Sequence, residues 1–76
     1  MKIDEGYILS NKYRRAIFEG LASGEKNIYQ IAKKHRIIKT VALRVIDSFI
    51  EGGIVEKHGN NYVLTKEGEK LVESIV

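Results

Sequence analysis

The stretch KKHRIIKTVALRVIDSF, Lys33 to Phe49, begins with a cluster of positive charge and then turns apolar at helical spacing. Ala42, Val45, Ile46, Phe49 and Ile50 recur three and four residues apart. That spacing predicts a half-buried helix over about 38–51, stopped by Gly52-Gly53. On this helix the buried arc centres on Ala42, Ile46 and Phe49. Thr40, Arg44 and Asp47 then point away from the core, Leu43 lies at its margin, and Lys39 is free to reach outward.

Working outward, NIYQIAKKH reads as a short helix over 27–35. Asn27 is its N-cap, Gln30 is placed to close a capping box, and Ile28, Ile31, Ala32 and His35 form one stripe. His35 is thereby expected to be a core histidine. Upstream, Tyr13, Ile17 and Leu21 fall four apart, so a helix is expected over 11–22, capped by Ser10 or Asn11 and followed by Gly24. Downstream, IVEKHGNNYVLT has two strand-like runs around Gly59-Asn60, which predicts a β-hairpin over 54–65. Thr65 can cap a last helix over 66–75, with Leu71, Val72, Ile75 and Val76 along one side. The N-terminal segment, 1–10, is open on this evidence and can add a turn before the first helix. The fold class is mainly α with a β-hairpin, in one domain spanning 1–76.

A chain of 76 residues buries only about 60% of its unfolded surface, and with no cysteine it has neither disulfide nor thiolate metal site to reinforce the core. The lack of cysteine points to a reducing, cytoplasmic setting. No apolar run approaches the ~20 residues of a membrane span, and Asp4 and Glu5 interrupt the place where an export signal needs an apolar stretch.

Thirteen Lys or Arg stand against ten Asp or Glu, but unevenly. From Asn11 to Arg44 there are nine basic and two acidic residues, and from Val45 onward three basic and six acidic. Ordinary solvation is one reading of such a surface. The asymmetry favours another, in which one face meets a polyanion.

Helix, helix, short turn, helix and hairpin is the order of a winged helix-turn-helix, and the residues carry the resemblance further. Asn11, Arg14, Ile17, Glu19 and Leu21 resemble the N-x-x-R-x-x-I-x-E-x-L first helix of ArsR-like and MarR-like winged-helix regulators, small archaeal ones included. Gly24-Glu25, Ile28, Ile31-Ala32, Ile37, Lys39, Thr40, Arg44, Phe49, Glu51 and Gly53-Ile54-Val55 continue the match without a gap, and YVLTKEG is similar to the segment after the wing. Four positions depart from the pattern: Ile38 stands where the family has an N-cap serine, Arg36 where it has a turn glycine, Leu43 where it has a small or polar residue, and His35 where it has a leucine.

The resemblance implies a sequence-specific regulator of double-stranded DNA, with the 38–51 helix in the major groove and the wing on the adjacent groove or backbone. An α-helix fits that groove, its leading residues reach base edges, and basic residues just before it neutralise phosphates. Lys39, Thr40, Leu43 and Arg44 are the candidates for base contact, Arg44 as a bidentate partner of guanine and Leu43 against a thymine methyl. Lys33, Lys34, Arg36, Lys57, His58, Asn60 and Asn61 are the candidates for backbone contact. The turn chemistry of Gly59, Asn60 and Asn61 serves a tight hairpin equally well without DNA.

Two other readings stand beside this one. In the first the domain docks other proteins in a larger assembly, through a patch that includes Val41 and Leu43. In the second it binds DNA architecturally, without sequence preference. Enzyme chemistry has no support: two histidines, two aspartates and no cysteine provide no metal cluster, no nucleophile with a base at motif spacing and no phosphate loop. No cofactor, metal or effector pocket is expected. The surplus apolar side chains at the two ends, Ile3, Tyr7, Ile8 and Leu9 with the 66–76 segment, lead to the expectation of a homodimer. In the family this sequence resembles, terminal helices form that interface.

Overall fold

A capping residue opens each of the first three helices. In the computed structural model, which describes residues 2–75, the Asp4 carboxylate accepts from the Tyr7 amide at 2.9 Å and starts α1, Glu5–Leu9. Asn11 Oδ1 accepts from the amides of Tyr13 and Arg14 at 2.8 and 3.1 Å, opening α2, Lys12–Ala22. Asn27 does the same for Tyr29 and Gln30 and opens α3, Ile28–Lys34. These bonds satisfy amides that the first helical turn leaves without partners. The capping box foreseen around Asn27 is only half formed. Its reciprocal bond comes from Glu25, whose Oε1 accepts the Asn27 amide at 3.0 Å in place of the Gln30 side chain.

The next helix, α4, spans Lys39–Glu51, and Ile38 at its N-cap makes no side-chain bond to it. Packing holds this helix instead. Ala42, Ile46 and Phe49 are fully buried, and the ring of Phe49 meets Phe18 of α2 edge-on, with centroids 6.4 Å apart and planes at 89°. Helix α4 packs on both α2 and α3, so these three helices enclose the core.

A Schellman arrangement ends α2, α3 and α4. For each, the amide two residues past the cap returns to a carbonyl in the last turn: Glu25 to Gly20, Ile37 to Ala32, Ile54 to Phe49. The residue before that amide must adopt a left-handed conformation. Gly24 and Gly53 do so after α2 and α4, with φ of 103° and 79°, whereas after α3 the residue is Arg36, at φ 54°. Here the structure corrects the sequence reading of His35. The helix ends at Lys34, His35 is its C-cap, and the left-handed step at Arg36 turns the chain so that Ile37 enters the core while His35 stays exposed.

Strands β1, Val55–His58, and β2, Asn61–Leu64, pair antiparallel with Val55 opposite Leu64 and His58 opposite Asn61. The two turn residues between them are Gly59, at φ 64°, and Asn60; glycine in the first place is what a type II′ hairpin requires. The wing is tied to the body: the Tyr62 amide donates to the Lys26 carbonyl at 2.9 Å, and Thr65 Oγ1 donates to the Gly53 carbonyl at 2.6 Å. Thr65 also accepts from the Gly68 amide at 3.2 Å, starting α5, Lys66–Ile75. Gly68 is buried, and a Cβ there would drive into the Ile54 carbonyl oxygen, which lets α5 lie directly across the entry to the wing.

Both ends of the chain pack on their own domain. Ile3 and Ile8 are buried, α1 lies against α2 and α5, and Leu71, Val72 and Ile75 are half-buried against the core. A five-residue helix has no stability of its own. Helix α1 persists because those two isoleucines anchor it, and they therefore leave the surplus apolar surface that the sequence had suggested. Val76 lies outside the described residues.

Candidate nucleic-acid interface

The turn after α3 and the start of α4 place a run of cations in solvent. Lys33 and Lys34 are exposed in the last turn of α3, Arg36 follows in its left-handed conformation, and Lys39 and Thr40 are exposed in the first turn of α4. Arg44 is exposed one turn further along, and Leu43 beside it is half-buried, as the apolar spacing foresaw. Among the described residues the ion pairs are Glu56–His58 and Glu67–Lys70, so no carboxylate within 4.0 Å neutralises any of these cations.

The wing divides its polar residues between two faces. Side chains alternate along a strand, so Glu56 and His58 share one face of β1 and Lys57 takes the other. His58 Nε2 lies 3.2 Å from Glu56 Oε2. Lys57 turns toward the body, with its Nζ 5.9 Å from the ring of Tyr62, and together with Asn60 it lines a cleft of about 360 Å³ against Tyr29 of α3 and its N-cap Asn27. Lys57 and Asn60 are thus brought beside the helix-turn-helix, while His58 is held apart from them. Asn61 is exposed at the start of β2.

Tyr29 is the residue that sequence reasoning missed. It is 50% exposed, and Lys39 Nζ lies 4.6 Å from its ring centroid, within cation–π range. Tyr29 therefore bridges the first turn of α4 and the wing-side cleft. Its place just off the Ile28, Ile31, Ala32 stripe marks it as an outward-facing aromatic, which is the signal that was available.

Arg44 belongs to a different neighbourhood. It lines a cleft between α1, α2 and α4, together with Tyr7, Arg14 and Val45. The Arg14 guanidinium is stacked 3.8 Å from the Tyr7 ring centroid and its Nη1 donates to the Tyr7 carbonyl at 3.1 Å. Among the described residues no group of three or more His, Asp or Glu side chains is placed to hold a metal ion.

This arrangement of α3, turn, α4 and hairpin can be compared with known proteins. A family model described as winged helix-turn-helix matches residues 7–76. The chain belongs to the winged helix-turn-helix family. Among solved structures, the winged helix is similar to the crystal structure of an ArsR family transcriptional regulator, with a TM-score of 0.62 at 22% identity, over 88% of this chain and 73% of that one. At that identity the likeness concerns the fold. No curated protein matches the chain. In winged-helix terms α3 and α4 are the helix-turn-helix, α4 is the recognition helix and β1–β2 is the wing. The family match begins at Tyr7, within α1, so the arginine-stacked tyrosine falls inside the domain.

Proposed function

We propose that this winged helix is a sequence-specific regulator of transcription that binds double-stranded DNA, with α4 in the major groove and the wing on the neighbouring groove or backbone. The observation that carries the reading is the set of exposed cations from Lys33 through Lys39 and at Arg44, none of them paired with a carboxylate among the described residues. Lys39, Thr40, Leu43 and Arg44 take the base edges. Lys33, Lys34, Arg36, Lys57, Asn60 and Asn61 take the sugar-phosphate backbone, and His58 joins them only by leaving Glu56 on the opposite face of the wing. The work would be done where DNA is, in the cytoplasm, and no helix among the described residues is long and apolar enough to cross a membrane. A protein-docking surface over α4 would need a continuous bare apolar patch, yet Val41 and Leu43 are half-buried, and among the described residues the exposed apolar side chains of α4 and its N-cap, Ile38 at 71% and Ile50 at 36%, stand at opposite ends of the helix.

Base readout and phosphate contact separate by substitution. Arg44→Ala should cost about 1–3 kcal/mol on the preferred sequence and relax the preference at one or two positions, whereas Lys34→Ala should weaken all sequences alike. Competition binding with matched and scrambled duplexes measures both. Equal, sequence-blind losses would remove Arg44 from the readout.

Arg36 allows a sharper test, because it holds a left-handed conformation that glycine adopts freely after α2 and α4. A side chain in that region costs about 1–2 kcal/mol, partly offset by the greater freedom of glycine in the unfolded chain. Arg36→Gly should therefore raise stability by about 0.5–1 kcal/mol in denaturant unfolding and at the same time weaken DNA binding. A more stable variant with undiminished DNA affinity would show that Arg36 makes no contact.

The active form in this reading is a two-fold homodimer built from α5 and the N-terminal segment, so that two recognition helices span two half-sites. Helix α5 packs beside α1, which makes one surface of the two ends, and Leu71, Val72, Ile75 and the 40% exposed Leu9 remain incompletely covered. Sedimentation at micromolar concentration should give a two-chain mass that Ile75→Glu halves. A one-chain mass for the unaltered protein would end the dimer.

A further inference from the structure

We propose that Tyr29 is a positioning residue for DNA recognition: its ring holds the Lys39 side chain ready at the start of α4 without neutralising it. The proposal rests on the DNA-binding reading above and adds to it a residue that acts through Lys39 rather than on a base.

A lysine carries its charge at the end of a flexible four-carbon stem, and fixing that stem on binding costs affinity. A carboxylate partner would fix it in advance, but would also cancel the charge that DNA must meet, and the pair would have to break first. An aromatic face attracts the ammonium through its quadrupole and leaves the net charge intact. The ammonium has three N–H donors, so those turned away from the ring stay free for an acceptor.

The chain has four tyrosines, and a cation lies over the ring of each. Arg14 meets Tyr7 at 3.8 Å from the centroid, Lys39 meets Tyr29 at 4.6 Å, Lys12 meets Tyr13 at 5.2 Å and Lys57 meets Tyr62 at 5.9 Å. The ion pairs among the described residues, Glu56–His58 and Glu67–Lys70, involve none of these four cations. Of the four, Lys39 alone belongs to the recognition helix. Its ring comes from α3, so the contact crosses the turn and one helix of the helix-turn-helix orients a side chain of the other.

The core does not require Tyr29. It is 50% exposed and stands off the buried stripe of Ile28, Ile31 and Ala32, and the bond of its amide to Asn27 Oδ1 is one that any side chain at this position keeps. Leucine is also at least as good a helix former as tyrosine, so Tyr29→Leu removes the ring and leaves α3 in place.

The test uses the full chain and begins without DNA. In proton NMR the ε-methylene protons of Lys39 should lie upfield of those of Lys33 and Lys34 through the ring current of Tyr29, keep that shift in Tyr29→Phe and lose it in Tyr29→Leu. Binding is then read by fluorescence anisotropy on the duplex preferred in a random-pool selection and on its single-base variants. Tyr29→Leu should weaken the preferred duplex about three- to fivefold, the size of one cation–π contact at an exposed site, and Tyr29→Phe should preserve it. Lys39→Met keeps a stem of similar length without the charge. Beside it, the further change Tyr29→Leu should alter affinity by less than about 1.5-fold, and both single variants should relax preference at the same base position.

A Lys39 without the upfield shift would overturn the proposal whether or not DNA binds. With the shift present, three results would overturn it alone: unchanged affinity in Tyr29→Leu, an equal loss in Tyr29→Phe, which would make the hydroxyl a direct contact, or a loss from Tyr29→Leu that persists beside Lys39→Met. A chain that binds no duplex, or prefers none, would bring down the DNA reading and this proposal with it.

Discussion

Phe49→Ala is expected to remove about 3–5 kcal/mol of stability, the range for truncating a fully buried phenylalanine. Phe49 is 0% exposed and closes edge-on against Phe18, so its loss leaves a cavity where α2 and α4 meet. Its carbonyl also accepts the Ile54 amide at 3.0 Å, the bond that ends α4 and sends the chain into the wing. Loosening Phe49 therefore disturbs the recognition helix and the wing together. At about 0.05–0.15 kcal/mol per residue, a domain of this length holds only roughly 4–11 kcal/mol in all. The variant should melt about 12–40 °C lower, taking about 4–8 °C for each kcal/mol in a domain of this size. Thermal unfolding followed by circular dichroism checks this, with Ile50→Ala on the 36% exposed edge of the same helix as a milder control. A loss below about 1 kcal/mol at Phe49 would contradict the packing described for the core.

DNA affinity is expected to fall at least about 500-fold between 50 and 200 mM salt. Each phosphate neutralised by a lysine or arginine releases condensed counterions, and five to eight such contacts give a log–log slope of about −4.5 to −7. Lys33, Lys34, Arg36, Lys39 and Lys57 are the cations assigned to this work or standing beside it, and no carboxylate within 4.0 Å pairs with them among the described residues. An internal ion pair would have to break before a phosphate could bind, which would flatten the slope. Fluorescence anisotropy of a labelled duplex across a salt series measures it. An affinity flat over that range would favour the protein-docking reading instead.

Much of the fold was legible because its signals are local. Ala42, Ile46 and Phe49 declare the face of α4 by spacing alone, Asn27 and Thr65 act as caps as their side chains suggest, and Gly59 marks the hairpin. What escaped depends on distant partners or on one dihedral angle. Helix α1 is too short to show a period, and it exists because Ile3 and Ile8 reach a core formed by later residues. His35 lies on the same stripe as Ile28 only if the helix continues, and the left-handed step at Arg36 ends that continuity. Spacing had no means of showing that Arg36 rather than glycine would take this conformation.

The candidate site divides in the same way. Exposure of Lys39, Thr40 and Arg44 follows from the helical wheel, and the structure agrees. The contact of Lys39 with Tyr29 joins two helices across the turn, and the cleft shared by Arg14 and Arg44 joins α2 to α4, so neither is written in any one segment. That cleft exists because α1 folds back over α2 and sets Tyr7 beside Arg14.

The central claim, that α4 reads a DNA sequence, is tested most directly by selecting bound duplexes from a random pool at physiological salt, in parallel with the unaltered chain and with Arg44→Ala. The account predicts an enriched motif for the unaltered chain, and loss of preference at one or two of its positions in the variant. A pool that stays random for the unaltered protein, or a motif that Arg44→Ala leaves intact, would contradict it.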